Sequence, residues 1–138
     1  MVDYNDAAGI GLFRISSDVI PFASHPDVAF PWRSLCEGEL SSVGESIRRT
    51  GLRVSMHPGQ YTVLNSPDAD VARRACADVV YHADFLDALG TGPEAKIVLH
   101  VGGVYGDREK GLARCAERFR TLPQRAARRI IVENEERK

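Results

Sequence analysis

Four short runs of apolar, largely branched residues recur at wide intervals along the chain: "LFRIS" at 12–16, "LRVSMH" at 52–57, "KIVLH" at 96–100 and "RIIVEN" at 129–134. Each is too short for a helix and reads as a strand. The intervening segments carry the helical period instead. In 67–90 the residues Val71, Ala75, Val79, Ala83 and Leu86 form one stripe, with Asp70, Arg73, Arg74, Asp78 and Asp87 largely off it. Ser66 or Asp68 is placed to cap its start and Gly90 to end it. A second helix is expected over 107–122, along Leu112, Cys115, Phe119 and Leu122, before Pro123 interrupts. A third is expected over 32–50, burying Leu35, Leu40, Val43 and Ile47 and ending at Gly51. "VDYNDAAG" reads as the tail of another helix.

Near-continuous apolar strands alternating with helices predict an α/β fold with parallel strands covered by helices. Composition agrees, because 43% hydrophobic and 27% charged residues over 138 positions describe about one soluble domain. No run approaches the roughly 18 apolar residues of a membrane span. The N-terminus has no basic segment followed by an apolar one, so a cytoplasmic location is expected. Cys36, Cys76 and Cys115 form no C-x-x-C pair and read as small core residues. The net charge of -1 neither demands nor excludes nucleic acid, and the arginines of "RRACAD", "ARCAERFR" and "QRAARR" read as solvated helix faces.

The polar residues collect at one kind of position, the C-terminal end of each strand or the loop after it. Ser16, Ser17, Asp18 and His25 follow the first run, His57, Gln60 and Tyr61 the second, His100, Gly102, Gly103 and Tyr105 the third, and Glu133 and Asn134 the fourth. In parallel α/β folds this is the edge where catalytic and ligand sites are built. His57, His100 and Glu133, ending successive strands, would converge, and imidazole with carboxylate suits Zn²⁺, Mn²⁺ or Fe²⁺ better than Mg²⁺ or Ca²⁺. Spacing leaves His25 open, because it lies in a loop. His82, inside the amphipathic helix, reads as structural. The glycines of "HVGGVYGD" fit a close approach to a ligand or, equally, a loop that needs room. "GGVYGDREKG" has neither a P-loop ending nor dinucleotide-type glycine spacing.

"FRISSDVIPFASHP", "VSMHPGQYTVLNSP", "IVLHVGGVYGD" and "IIVENEE" together resemble the UV damage endonuclease family, in order and in spacing, over essentially the whole chain. The resemblance implies a (β/α)₈ barrel similar to the endonuclease IV type, a divalent metal cluster, and cleavage of the DNA backbone 5′ to UV-induced lesions at the start of excision repair. It implies His25, His57, His100 and Glu133 as metal ligands, with His100 and Glu133 at the catalytic centre. Gln60 and Tyr61 match the pair that enters the damaged duplex. Mn²⁺ is the expected ion, with Zn²⁺ as the alternative. A whole barrel needs about 250 residues, so residues 1–138 are expected to form one partial TIM-barrel domain holding the family's second to fifth strands. Ligands from later strands would then be missing, which puts the activity of the isolated chain in question. Its open sheet edges call for self-association or a complementing chain. The competing readings are a sugar isomerase-like metal enzyme and a noncatalytic DNA- or metal-binding remnant.

Overall fold

The four apolar runs form strands β1 (Leu12–Ile15), β2 (Arg53–Met56), β3 (Lys96–His100) and β4 (Ile130–Glu133) in a computed structural model that describes residues 1–133. They make one parallel sheet in the order β1-β2-β3-β4. Helix α1 (Val2–Ala7) precedes β1. The crossovers are α2 (Trp32–Leu35) with α3 (Glu37–Thr50), then α4 (Ala69–Ala88), then α5 (Arg108–Thr121) with α6 (Gln124–Ala127). Parallel strands neighbouring one another in chain order, successive ones joined through helix, are a partial (β/α)₈ TIM barrel. Asn134, expected at the end of the fourth strand, lies outside the described residues.

Successive strand residues point to opposite faces, and the register sets which residues share one. Val54, Met56, Ile97 and Leu99 are buried on one face beneath the helices, against Ala75, Val79, Ala83 and Leu86 of α4. The stripe predicted for 67–90 is therefore the core face of α4. Leu12, Arg14, Ser55, Lys96, Val98 and Ile131 occupy the opposite face, which corresponds to the inside of a barrel. No described helix covers that face, so Leu12 and Ile131 stay exposed.

Local chemistry accounts for the boundaries. Asp68 caps α4 by accepting from the Asp70 and Val71 N–H groups at 2.8 and 3.0 Å, which holds its carboxyl below the usual range. Gly51 ends α3 with φ +67, a left-handed conformation that favours glycine. At the opposite end of the sheet from the polar loops, the fully buried Arg129 donates to the Gly92, Ala95 and Thr91 carbonyls and to Asp87. It thereby fixes the connection between α4 and β3.

Three expectations need correction. The helix over 32–50 is two helices, broken at Cys36, whose φ of -109° and ψ of 14° leave the helical region. Leu35 (60% exposed) and Val43 are not core residues: the break turns Leu35 outward, and Val43 borders an apolar cavity of about 500 Å³ between α3 and the sheet. On α5, Leu112 and Phe119 are exposed, Cys115 is half-buried against the core, and of the expected stripe only Leu122, just past the helix end, is buried.

Candidate metal centre and neighbouring loop tip

The alternation that buries Met56 turns the next residue, His57, to the open face, and the β3–β4 register sets His100 beside Glu133 on that same face. His57, His100 and Glu133 thus meet at the C-terminal ends of β2, β3 and β4, each offering one donor atom within 4.8 Å of the others. Glu133 Oε2 lies 3.1 Å from His57 Nε2 and 3.8 Å from His100 Nε2. The two imidazoles are tilted at 58° with centroids 4.9 Å apart.

The donor set passes a chemical test for a cation. Metal bonds of about 2.0–2.2 Å to nitrogen and oxygen place neighbouring donors roughly 3–3.5 Å apart; the His57–Glu133 pair at 3.1 Å has that spacing, and the His100–Glu133 pair at 3.8 Å is wider. His57 Nδ1 lies 3.0 Å from the Pro58 carbonyl, which can accept its hydrogen and leave the Nε2 lone pair facing Glu133. Two lone pairs 3.1 Å apart repel unless a proton or a metal ion lies between them. These residues could hold a divalent ion.

His25 is not among the converging donors. Its Nδ1 accepts from the Asp27 N–H at 3.3 Å and its ring meets Phe22 edge-on. It lines a cavity of about 580 Å³ together with Asp18, Tyr61, Arg74, Asp78 and Tyr81. His82, expected to be structural, is fully buried in α4, with Nδ1 2.7 Å from the Asp78 carbonyl.

After His57 the chain turns sharply at Gly59, closed by a 2.9 Å bond from the Thr62 N–H to the Gly59 carbonyl. This leaves Gln60 exposed at the tip and Tyr61 63% exposed beside it. Partial burial, then the carboxylates of Asp78 and Asp18, raise the Tyr61 phenol above its ordinary value. Burial pushes the neighbouring Tyr81 phenol up to about 12.

Sequence reasoning missed the groups that hold this tip. Asp78, assigned to the polar side of its helix, is 5% exposed and accepts a 2.6 Å bond from Thr62 Oγ1. Asn65 is buried and bridges the two strand-end loops, with Nδ2 donating to the Gly103 carbonyl at 2.8 Å. Arg114 of α5 donates from Nε to the Asn65 carbonyl at 2.8 Å and places its guanidinium 5.7 Å from the Tyr105 ring. Thr62 and Asn65 both lie inside the string "HPGQYTVLNSP", whereas Arg114 was hidden in a segment that reads as a solvated arginine-rich face.

Comparisons with known proteins bear on this arrangement. A family model described as "UV-endonuclease UvdE" matches residues 1–138. A UV DNA damage endonuclease of Clostridium perfringens is 40% identical over 137 residues, covering 99% of this chain and 33% of that protein. One from Bacillus velezensis is 36% identical, covering 98% of this chain and 42% of the relative. The crystal structure of SacUVDE superposes with a TM-score of 0.92 at 41% identity, over 97% of this chain and 46% of that one. The chain spans less than half the length of these relatives. Among the described residues no helix is long and apolar enough to cross a membrane.

Proposed function

Because the chain belongs to the UV-endonuclease UvdE family, we propose that it supplies part of a metal-dependent DNA repair nuclease that cuts the backbone 5′ to UV-induced lesions. The observation that carries this reading is the convergence of His57, His100 and Glu133 at three adjacent strand ends. A divalent cation at such a site supplies Lewis-acid polarisation of a phosphodiester and a nucleophile at neutral pH. Mn²⁺ is the proposed ion and Zn²⁺ the alternative, since an N,N,O donor set suits both. His25 joins the proposed ligand set through the resemblance alone.

The residues divide the work. The Pro58 carbonyl orients His57 so that Nε2 faces the centre. Glu133 Oε2 is shared between both imidazoles, which makes its carboxylate the group best placed to hold a cation between them. His100 is fixed by the strand ladder opposite Glu133. Gln60 and Tyr61 project beside this centre as a wedge for duplex DNA. A damaged stack costs less to open than an intact one, so the wedge would select by deformability rather than by base edges. The projecting Tyr61 also disfavours a sugar isomerase, which has no duplex to open. A cytoplasmic location belongs to the same proposal, as does cover for the open face and the β1 and β4 edges by a complementing chain or a second copy.

Nicking of UV-irradiated and unirradiated supercoiled plasmid in Mn²⁺ tests the reading, with His100→Ala as control. Damage-dependent nicking that disappears in the variant is expected. Nicking that is absent, or equal in both proteins, would overturn the claim that this chain carries the activity.

A further inference from the structure

The tip at Gln60 and Tyr61 poses a mechanical problem. A wedge must meet the base stack in one orientation, yet the turn that carries it is closed by short-range bonds, Thr62 N–H to the Gly59 carbonyl and Val63 N–H to the Tyr61 carbonyl at 3.0 Å. The Tyr61 ring lies over Gly59, where a Cβ would stand 2.7 Å from its Cζ, but most of the ring faces solvent. Local closure shapes the turn without fixing how it stands on the domain.

The fixing group comes from elsewhere in the chain. Thr62, 6% exposed and next to Tyr61, donates from Oγ1 to Asp78 Oδ2. At 2.6 Å this has the length of a charge-assisted hydroxyl–carboxylate bond. Asp78 sits in mid-α4, a 20-residue helix whose neighbouring turns are packed into the core by Ala75, Val79 and Leu86. A carboxylate buried there is costly unless it is bonded. Its surroundings offer modest compensation: His82 Nδ1 at 3.7 Å from Oδ1, Arg74 across the shared cavity, and the Tyr61 and Tyr81 phenols, with Asp18 opposing. An apolar residue would serve packing alone at least as well.

We propose that Thr62 and Asp78 are positioning residues for the probe, their buried hydrogen bond holding Gln60 and Tyr61 upright and thereby setting the preference for damaged over intact duplex. The inference rests on the reading of Gln60 and Tyr61 as the probe. Contacts to the phosphate backbone are the same for both duplexes and carry no preference. Only wedge insertion distinguishes them, and a loosened tip spends part of that difference on being ordered.

Two measurements on the whole chain test it: ¹⁹F NMR of fluorotyrosine at position 61, and fluorescence anisotropy with duplexes that carry one UV lesion or none. Thr62→Val removes the hydroxyl at nearly constant volume. It is expected to shift the Tyr61 resonance towards that of an unstructured peptide and to lower the damaged-to-intact affinity ratio about fivefold to tenfold, with Mn²⁺ binding unchanged. Thr62→Ser restores both readouts, which a merely structural role for the threonine methyl would not allow. If Thr62→Val does not fold, Asp78→Asn keeps the shape and weakens the bond by removing the charge, and a partial loss in both readouts is expected.

Tyr61→Ala separates the two claims. A ratio unaffected by Tyr61→Ala, or no preference in the parent chain, sinks the probe reading, and the proposed setting of preference falls with it. A ratio that falls with Tyr61→Ala but not with Thr62→Val, or a Tyr61 resonance unmoved by Thr62→Val, overturns the positioning role.

Discussion

Replacing Gly102 with alanine should damage the chain just beyond the centre, and the structure gives the size of the effect. Gly102 has φ +92, two residues after His100. A Cβ there would stand 2.8 Å from Val63 Cγ1 and closer still to Asn65 Oδ1. A non-glycine residue held at such a φ costs about 1–3 kcal/mol. The clash also forces Asn65 aside, breaking its bond to the Gly103 carbonyl at about 1 kcal/mol. Together these give about 2–4 kcal/mol. With a urea slope of about 2 kcal/mol per M, the unfolding midpoint should fall by roughly 1–2 M. Asn65→Ala alone already forfeits the shared bond, so in the double variant Gly102→Ala adds only the backbone strain and the Val63 contact. The pair should therefore be non-additive by about 1 kcal/mol. A midpoint within about 0.3 M of the parent, or strict additivity, would refute the reasoning.

The remaining expectations concern charge and donor atoms. Glu133→Gln or His57→Ala should weaken Mn²⁺ binding, measured by calorimetry, by at least the roughly 10–100-fold seen when a ligand's support is lost; unchanged affinity would remove these residues from the ligand set. The Asp68 and Asp107 carboxyls are held below their ordinary values, first by the helix N–H groups they accept from. Their stabilisation is present above the unfolded-state value and is lost as pH falls through the folded one. Asp68→Asn, which keeps the cap without the charge, should flatten the acid limb of stability against pH, and an identical limb would contradict the assignment. Asp78→Asn should let Tyr61 ionise at lower pH in a near-ultraviolet titration, with burial, the larger cause, retaining part of the shift. A titration that moves upward would reverse the sign of the argument.

The strands were legible because parallel strands beneath helices must be apolar nearly throughout, and each observed strand lies inside its predicted run. Helix α4 was legible because Ala75, Val79, Ala83 and Leu86 report the 3.6-residue period directly. The break at Cys36 left no comparable mark, since Leu35 and Val43 keep the spacing of a continuous helix while the backbone turns between them. Asp78 was unreadable for a related reason. Nothing in its own helix predicts burial of a carboxylate, because the group that makes burial tolerable, Thr62, arrives from a loop 16 residues earlier. The three converging donors could be read from strand ends alone, as geometry fixes where a strand end goes. His25 could not, since a loop residue inherits no such constraint.

The candidate metal centre and the exposed tip beside it share one set of supports in this partial barrel. His57 and Gln60 are separated by two residues, so the strand end that orients one also launches the other. Asn65 then ties the loop carrying Tyr61 to the loop leaving His100, and Arg114 locks Asn65 from α5. The tip and the loop that follows a candidate ligand are thereby joined by hydrogen bonds within the chain. The loop after β1, which carries His25, shares a cavity with Tyr61. The strand ladder, by contrast, keeps His100 opposite Glu133. The sheet therefore fixes the three converging groups, His57, His100 and Glu133, whereas His25 stands on a loop that no strand pairing holds.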